Sequence, residues 1–342
     1  MALLAGLAMG LAALLAPVAP ARAQEVTLRV QHFLSTSSTT HADFIVPWAE
    51  RLEAQSGGRI AVEIYPAMQL GGAPPALYDQ VRDGVVDVVW TLPGYTPGRF
   101  PLTEVFELPF MAASAEATSQ AAQAFYERHL RAEYGDVHVL MLHVHAPGTF
   151  HMRGEPVRRL EDLEGKRVRA PTRVTNDALA ALGAVPTGMP VPQVPEALSR
   201  GVIDGAVIPW EVARPLRVPE LVDSHTEIPG ERGFYTAVFL FAMNKAVYEG
   251  LPDDLKAVID ANSGIALARE IGAVWDAAEA PGRAMAEAEG NAIVRLTEAE
   301  TARWKAATEP VIADWIAART AEGVDAAALV EEARALIADY AR

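Results

Sequence analysis

The chain of 342 residues contains no cysteine. Thiol catalysis, iron–sulfur clusters, thiolate zinc sites and disulfide stapling are therefore excluded together. Positive charge is scarce too: 29 Lys and Arg stand against 44 Asp and Glu, a formal net charge of -15. The densest basic cluster, Lys166-Arg167-Val168-Arg169, is too short to form a polyanion-binding face, so nucleic acid is not an expected partner. Long apolar runs are also missing. The largest, Ala2 to Leu15, holds about 14 residues against the ~20 that a spanning helix needs. Catalytic signatures are absent as well, with no Gly-x-Ser-x-Gly elbow, no Gly-x-Gly-x-x-Gly after the first strand and no His-Glu-x-x-His. An exported hydrolase or lyase is accordingly the weakest functional reading.

What is present begins with that short apolar run. Ala21-Arg22-Ala23 follows it, the small-x-small pattern that signal peptidase accepts. Residues 1–23 are read as a signal peptide, with Gln24 opening an exported, periplasmic, soluble chain. No Lys or Arg precedes the run. Either the amino-terminal charge alone serves, or the start codon lies elsewhere.

The remaining length suits roughly two domains. Glu25–Gln31 and Arg59–Tyr65 alternate at period two and predict strands, with a helix over His41–Gln55 between them. Gly84–Trp90 is almost continuously apolar after Asp87, as a strand buried on both faces would be. Strands are also expected at 137–143, 167–170, 202–208 and 233–244, and helices at 74–82, 160–165, 175–183 and 191–200. From Pro252 the chain reads as helix almost to its end, interrupted at Gly264, Pro281 and Gly290. Strands alternating with helices argue for an α/β fold with sheets covered on both faces. Two segments echo each other, one ending in Gly84-Val-Val-Asp87 and the other in Gly201-Val-Ile-Asp204. Two lobes of similar plan would bind a ligand between them, beyond the carboxyl ends of their strands.

Several motifs carry a resemblance. Asp162-Leu-Glu-Gly-Lys-Arg-Val-Arg169-Ala-Pro171, Gly183-Ala-Val-Pro-Thr-Gly-Met-Pro190 and Glu196-Ala-Leu-Ser-Arg-Gly-Val-Ile-Asp-Gly205 follow in that order. Met68-Gln-Leu-Gly71, Phe241-Ala-Met-Asn-Lys245 and Leu251-Pro-Asp-Asp-Leu-Lys256 accompany them. Together they resemble the DctP-like substrate-binding proteins of tripartite ATP-independent periplasmic (TRAP) transporters. The resemblance implies a two-lobed periplasmic binding protein with mixed sheets flanked by helices and one long helix spanning both lobes. It places 24–146 and about 235–274 in lobe I, and about 147–234 and 275–342, with the C-terminal helices, in lobe II. It also implies a small organic acid as ligand and TRAP permease membrane subunits as partners. A receptor for an ATP-driven transporter or for a membrane kinase is the alternative.

The resemblance assigns Arg169 to the arginine that pairs bidentately with a ligand carboxylate. A planar guanidinium presents two parallel donors that match such a fork. No second arginine is safely carried over, because Arg153 lies across an apparent insertion, and His145 is the expected polar contact in that stretch. His143, His145 and His151 invite a transition-metal reading that lacks a third well-placed ligand and supporting carboxylates. In keto-acid-binding relatives an aromatic–acid pair holds a cation that bridges to the ligand. Trp210-Glu211 stands at that position, so Glu211 is the candidate for such a cation and no other cofactor is expected. Ser35–Thr40 either caps the next helix or offers hydroxyls to the ligand. Ile208, Thr91 and Gly72-Ala73 replace groups that bond hydroxyls in sugar-acid binders. Trp90, Trp210, Phe234 and Tyr235 are the expected flat walls. The ligand class expected is a monocarboxylate, either an aromatic acid or a short 2-oxo or 2-hydroxy acid, with the aromatic acid ahead.

Overall fold

The computed structural model describes residues 24–342; the expected signal peptide and its cleavage after Ala23 lie outside the described residues. Eleven strands form two sheets. They are β1 (Val26–His32), β2 (Ile60–Tyr65), β3 (Val88–Thr91), β4 (Val137–Val144), β5 (Thr149–Met152), β6 (Arg167–Ala170), β7 (Val185–Gly188), β8 (Gly205–Ile208), β9 (Ser224–Glu227), β10 (Val238–Asn244) and β11 (Ala292–Arg295). The first sheet runs β2-β1-β3-β10-β4 and the second β11-β9-β5-β8-β6-β7. All pairings in the first are parallel except those of β10, which lies antiparallel between β3 and β4. Every residue of β3 and β10 is buried, which is why neither segment alternates in sequence. This is the expected two-lobed α/β architecture with mixed sheets.

The helices that cover the sheets are α1 (Val46–Gln55), α2 (Leu77–Arg82), α3 (Ala115–Phe125), α4 (Arg173–Ala181), α5 (Val194–Ser199), α6 (Trp210–Ala213), α7 (Lys245–Gly250), α8 (Asp253–Ala261), α9 (Gly264–Ala288), α10 (Glu298–Ala321) and α11 (Ala326–Tyr340). Helix α9 is the long helix of the expectation, and it carries Pro281 inside its span. It packs on α3 and β4 of the first lobe and on α6 of the second. Two glycines allow that double contact. A Cβ at Gly272 would stand 2.5 Å from Glu116 Cα, and one at Gly282 would stand 2.0 Å from the Trp210 carbonyl oxygen. Between them, two acids hold helix amino termini. Asp276 accepts from the backbone N–H groups of Ala115 (2.8 Å) and Glu116 (2.9 Å), and Glu279 from those of Glu211 (2.8 Å) and Trp210 (3.3 Å). Both pairings satisfy amide groups that a helix cannot bond internally.

The structure corrects several expectations. The chain is not helical throughout after Pro252, because β11 follows Gly290 and pairs in parallel with β9. The apolar segments at 84–90, 202–208 and 233–244 become strands only from Val88, Gly205 and Val238. Helix α10 packs on α4 of the second lobe, whereas α11 packs on α3 of the first, so the C-terminal helices are shared between the lobes.

Candidate functional site

Strands β1, β3 and β4 of the first sheet and β6 and β8 of the second end at one cleft, and β10 begins there. About 390 Å³ of space, part of it open to solvent, lies in this cleft. It occupies the place where open α/β sheets collect ligands, beyond the carboxyl ends of parallel strands. Two crossover segments run side by side behind it. The Gly148 N–H donates to the Tyr235 carbonyl (3.0 Å), the Thr236 hydroxyl donates to the His145 carbonyl (2.7 Å), and a Cβ at Gly148 would collide with the Tyr235 ring.

Arg169 emerges from β6 and is 1% exposed. Its Nε and Nη2 donate to the Met189 carbonyl at 3.0 and 2.8 Å, and Nη1 reaches the Val207 carbonyl at 3.5 Å. Tyr95 lies close enough for this guanidinium's charge to act on its hydroxyl. Among the described residues, no carboxylate forms an ion pair with Arg169. The guanidinium is thus oriented by carbonyls but not neutralised, and removing such a charge from water is costly unless an anion arrives. The Tyr95 hydroxyl accepts from the Val191 N–H across the lobes (2.9 Å), leaving its own proton free for that anion.

Around this end the lining is apolar. Trp90 stacks on Phe239 at 4.5 Å between centroids, Phe33 tilts against Trp90 at 4.8 Å, and Tyr235, Trp275 and Ile208 complete the walls. The Tyr235 hydroxyl donates to the Val207 carbonyl (2.8 Å), and the Trp90 indole donates to His143 Nε2 (2.8 Å). Neither polar handle is left for a ligand.

His145 lines the cleft but does not offer the polar contact expected of it. Its Nδ1 bonds the Ala146 carbonyl and its Nε2 accepts from the Ala237 N–H at 3.1 Å, so both nitrogens are engaged by backbone. Burial, with the Arg169 charge adding to it, lowers its pKa to about 4 and keeps the ring neutral. The other two histidines diverge: His143 bonds Trp90, and His151 pairs with His225 (2.7 Å).

Two expected walls are elsewhere. Phe234 packs in the second lobe's core against Phe110, Phe150 and Trp304. Trp210 turns toward His151 and His225. Trp90 and Tyr235 do face the cleft, joined by Phe33, Tyr95, Phe239 and Trp275, which sequence reasoning missed. Of the three departures from sugar-acid binders, only Ile208 lines it. Arg153 is exposed. In the Ser35–Thr40 loop, the Ser38 hydroxyl accepts from the His41 N–H at 3.3 Å, as a cap does.

Glu211 lines the cleft at 3% exposure. Its Oε1 is buried and has no partner among the described residues. Burial pushes this carboxyl up to about 7. Among the described residues no three His, Asp or Glu side chains converge on a metal-sized site.

Residues 30–318 match the family model described as bacterial extracellular solute-binding protein, family 7. A solved structure from a marine metagenome, a TRAP solute-binding protein specific for aromatic acid ligands and co-crystallised with 3-hydroxybenzoate, is 50% identical. It aligns over 93% of this chain and 100% of its own with a TM-score of 0.92. A TRAP solute-binding protein of Rhodoferax ferrireducens T118 with copurified benzoate is 44% identical, over 92% of this chain and 98% of its own, at a TM-score of 0.91. Among curated proteins, the outer membrane transporter protein TsaT of Comamonas testosteroni is 28% identical over 89% of both chains.

Proposed function

We propose a ligand from the premise that the chain belongs to the bacterial extracellular solute-binding proteins of family 7: it is a TRAP-type solute receptor whose cargo is an aromatic monocarboxylate. One observation carries the reading. Arg169 is a buried guanidinium without an anion, set at one end of a cleft walled by aromatic rings. A carboxylate supplies the missing charge, and a ring behind it replaces water against Trp90, Phe239 and Phe33. With one cation in the lining, a single carboxylate suffices. A short 2-oxo acid would leave the aromatic half of the cleft unfilled.

The solved relatives at 50% and 44% identity hold 3-hydroxybenzoate and benzoate, which supports the same class here. Family membership supports delivery to the membrane subunits of a TRAP permease, and the Ala21-Arg22-Ala23 pattern supports export with cleavage behind Ala23. Export is checked by the mass of the periplasmic form, expected to begin at Gln24. The ligand is checked by thermal shift with an organic-acid panel. A ligand at 100 times its Kd adds about 2.7 kcal/mol to the stability of the folded form. Stabilisation by benzoates, phenylacetates or mandelates is expected, and stabilisation by sugar acids or C4-dicarboxylates alone would overturn the assignment.

A further inference from the structure

We infer that Glu211 reads a hydroxyl on the ring of the bound acid, so that this receptor prefers hydroxylated aromatic acids to unsubstituted ones. The inference rests on the reading above, that an aromatic carboxylate occupies the cleft.

The argument is an account of unused hydrogen-bonding capacity. Within the lining, Tyr235 and Trp90 donate to protein acceptors, and His145 has both nitrogens bonded to backbone. Besides the indole N–H of Trp275, which has no partner among the described residues, two polar openings remain. One is the Arg169–Tyr95 end, which suits the carboxylate. The other is Oε1 of Glu211, buried and unpartnered on the same cleft. Its side chain is not free to turn away. The backbone N–H of Glu211 is fixed by Glu279 at 2.8 Å, and the residue is only 3% exposed. A lone acceptor oxygen in an apolar wall selects a ligand that brings an O–H to it, because an analogue lacking that group leaves the oxygen buried and unsatisfied. Burial pushes this carboxyl up to about 7, so it accepts when ionised and donates when protonated, and a neutral hydroxyl matches either form.

Calorimetric titration of benzoate and of its 2-, 3- and 4-hydroxy derivatives tests this with wild type, Glu211→Gln and Glu211→Leu. Wild type is expected to bind at least one hydroxybenzoate about tenfold more tightly than benzoate. Glu211→Gln keeps an acceptor oxygen and should retain most of that preference. Glu211→Leu should bring the benzoate and hydroxybenzoate affinities together, and its cooperative thermal unfolding shows that the variant is folded. Equal wild-type affinity for benzoate and all three hydroxybenzoates overturns the inference and leaves the receptor assignment standing. So does an equal loss of benzoate and hydroxybenzoate binding in Glu211→Leu. Failure of wild type to bind any aromatic acid overturns the assignment, and the inference with it.

Discussion

A guanidinium held by two backbone carbonyls is oriented but not neutralised, and that is the state in which Arg169 would meet the proposed carboxylate. Replacing it separates binding from folding. Arg169→Met should abolish binding of the cognate acid, at a cost of about 3–5 kcal/mol, because the carboxylate would enter the cleft unpaired. The same substitution removes an unneutralised buried charge, so the melting temperature without ligand should hold or rise. Arg169→Lys should recover only part of the affinity, having no fork. Titration and melting on the same samples check both statements; a destabilised, binding-competent Met variant would contradict them. Glu107 shows a different side of burial. Its Oε1 accepts from the Val238 N–H at 3.1 Å, its Oε2 has no partner, and burial pushes the carboxyl up to about 8. A pKa raised on folding contributes stability that is complete below the ordinary carboxyl value of 4.5 and is lost as pH rises through about 8. Glu107→Gln should therefore flatten the alkaline limb of melting temperature against pH and exceed wild type above about pH 8. Buried His143 and His145, lowered to about 3 and about 4, act in the opposite direction. Their contribution is present above 6.5 and is lost as pH falls toward those values, and Glu107→Gln should leave that acid limb unchanged.

Among the elements, α9 binds the two lobes together through a repeated device, a glycine for close approach and an acid for a helix terminus. Gly272 and Asp276 serve α3, while Glu279 and Gly282 serve α6. The two ends differ in consequence because α6 carries Glu211 and Val212 into the cleft, whereas α3 contributes no lining. Gly282→Ala would place a methyl group 2.0 Å from the Trp210 carbonyl oxygen. Overpacking of this kind costs about 1–3 kcal/mol. Displacement of α6 should in addition weaken ligand binding. Gly272→Ala presses on Glu116 and Ala115 instead and should lose comparable stability with a smaller change in affinity. Chemical denaturation paired with ligand titration separates the two; equal affinity losses would show that α9 moves as one body.

Closure is a property of the whole molecule, and specific contacts between the lobes hold it. Arg173 of α4 forms a two-point ion pair with Glu104 of the first lobe, its Nε at 3.1 Å, and the Val191 N–H donates to Tyr95. A Cβ on Gly94 would stand 2.4 Å from Thr172 Cγ2 across the same seam. Arg173 is 43% exposed at its side chain, so screening limits the pair to about 1 kcal/mol. That still shifts an open–closed equilibrium several-fold, and apparent affinity falls with the closed fraction. Arg173→Ala should enlarge the radius of gyration without ligand, weaken binding a few-fold and reduce its salt dependence. Saturating ligand should restore the compact form in small-angle scattering. Identical scattering from wild type and variant, with and without ligand, would mean that the lobes do not open.

Much of this was legible in the sequence, and particular residues show where legibility ended. The period-two run at β1 and the apolar run at β3 announced strands because burial acts on each residue's own chemistry. Arg169 was recognisable because a fixed-geometry arginine beside Ala170-Pro171 belongs to a contiguous motif. The four-residue strands β5, β7, β9 and β11 were not foreseen, since they exist through backbone pairing with distant partners rather than through their own pattern. Nor could sequence tell Phe239 from Phe241. Every residue of β10 is buried, so no alternation marks its faces, yet Phe239 stacks on Trp90 at the cleft and Phe241 packs against Trp48 in the core. Trp210 and Phe234 sit at strand ends like true walls, but α6 and the crossover segment turn them inward. His145 was chosen for its type, and only the fold revealed that Ala146 and Ala237 already hold both its nitrogens. The sequence by itself determined the α/β class and the two-lobed family, and it singled out the arginine proposed to bind the anion, because these depend on local pattern and contiguous motifs. Tertiary structure alone decided which rings face the ligand and which polar atoms remain unpaired, because both depend on contacts between residues far apart in the chain.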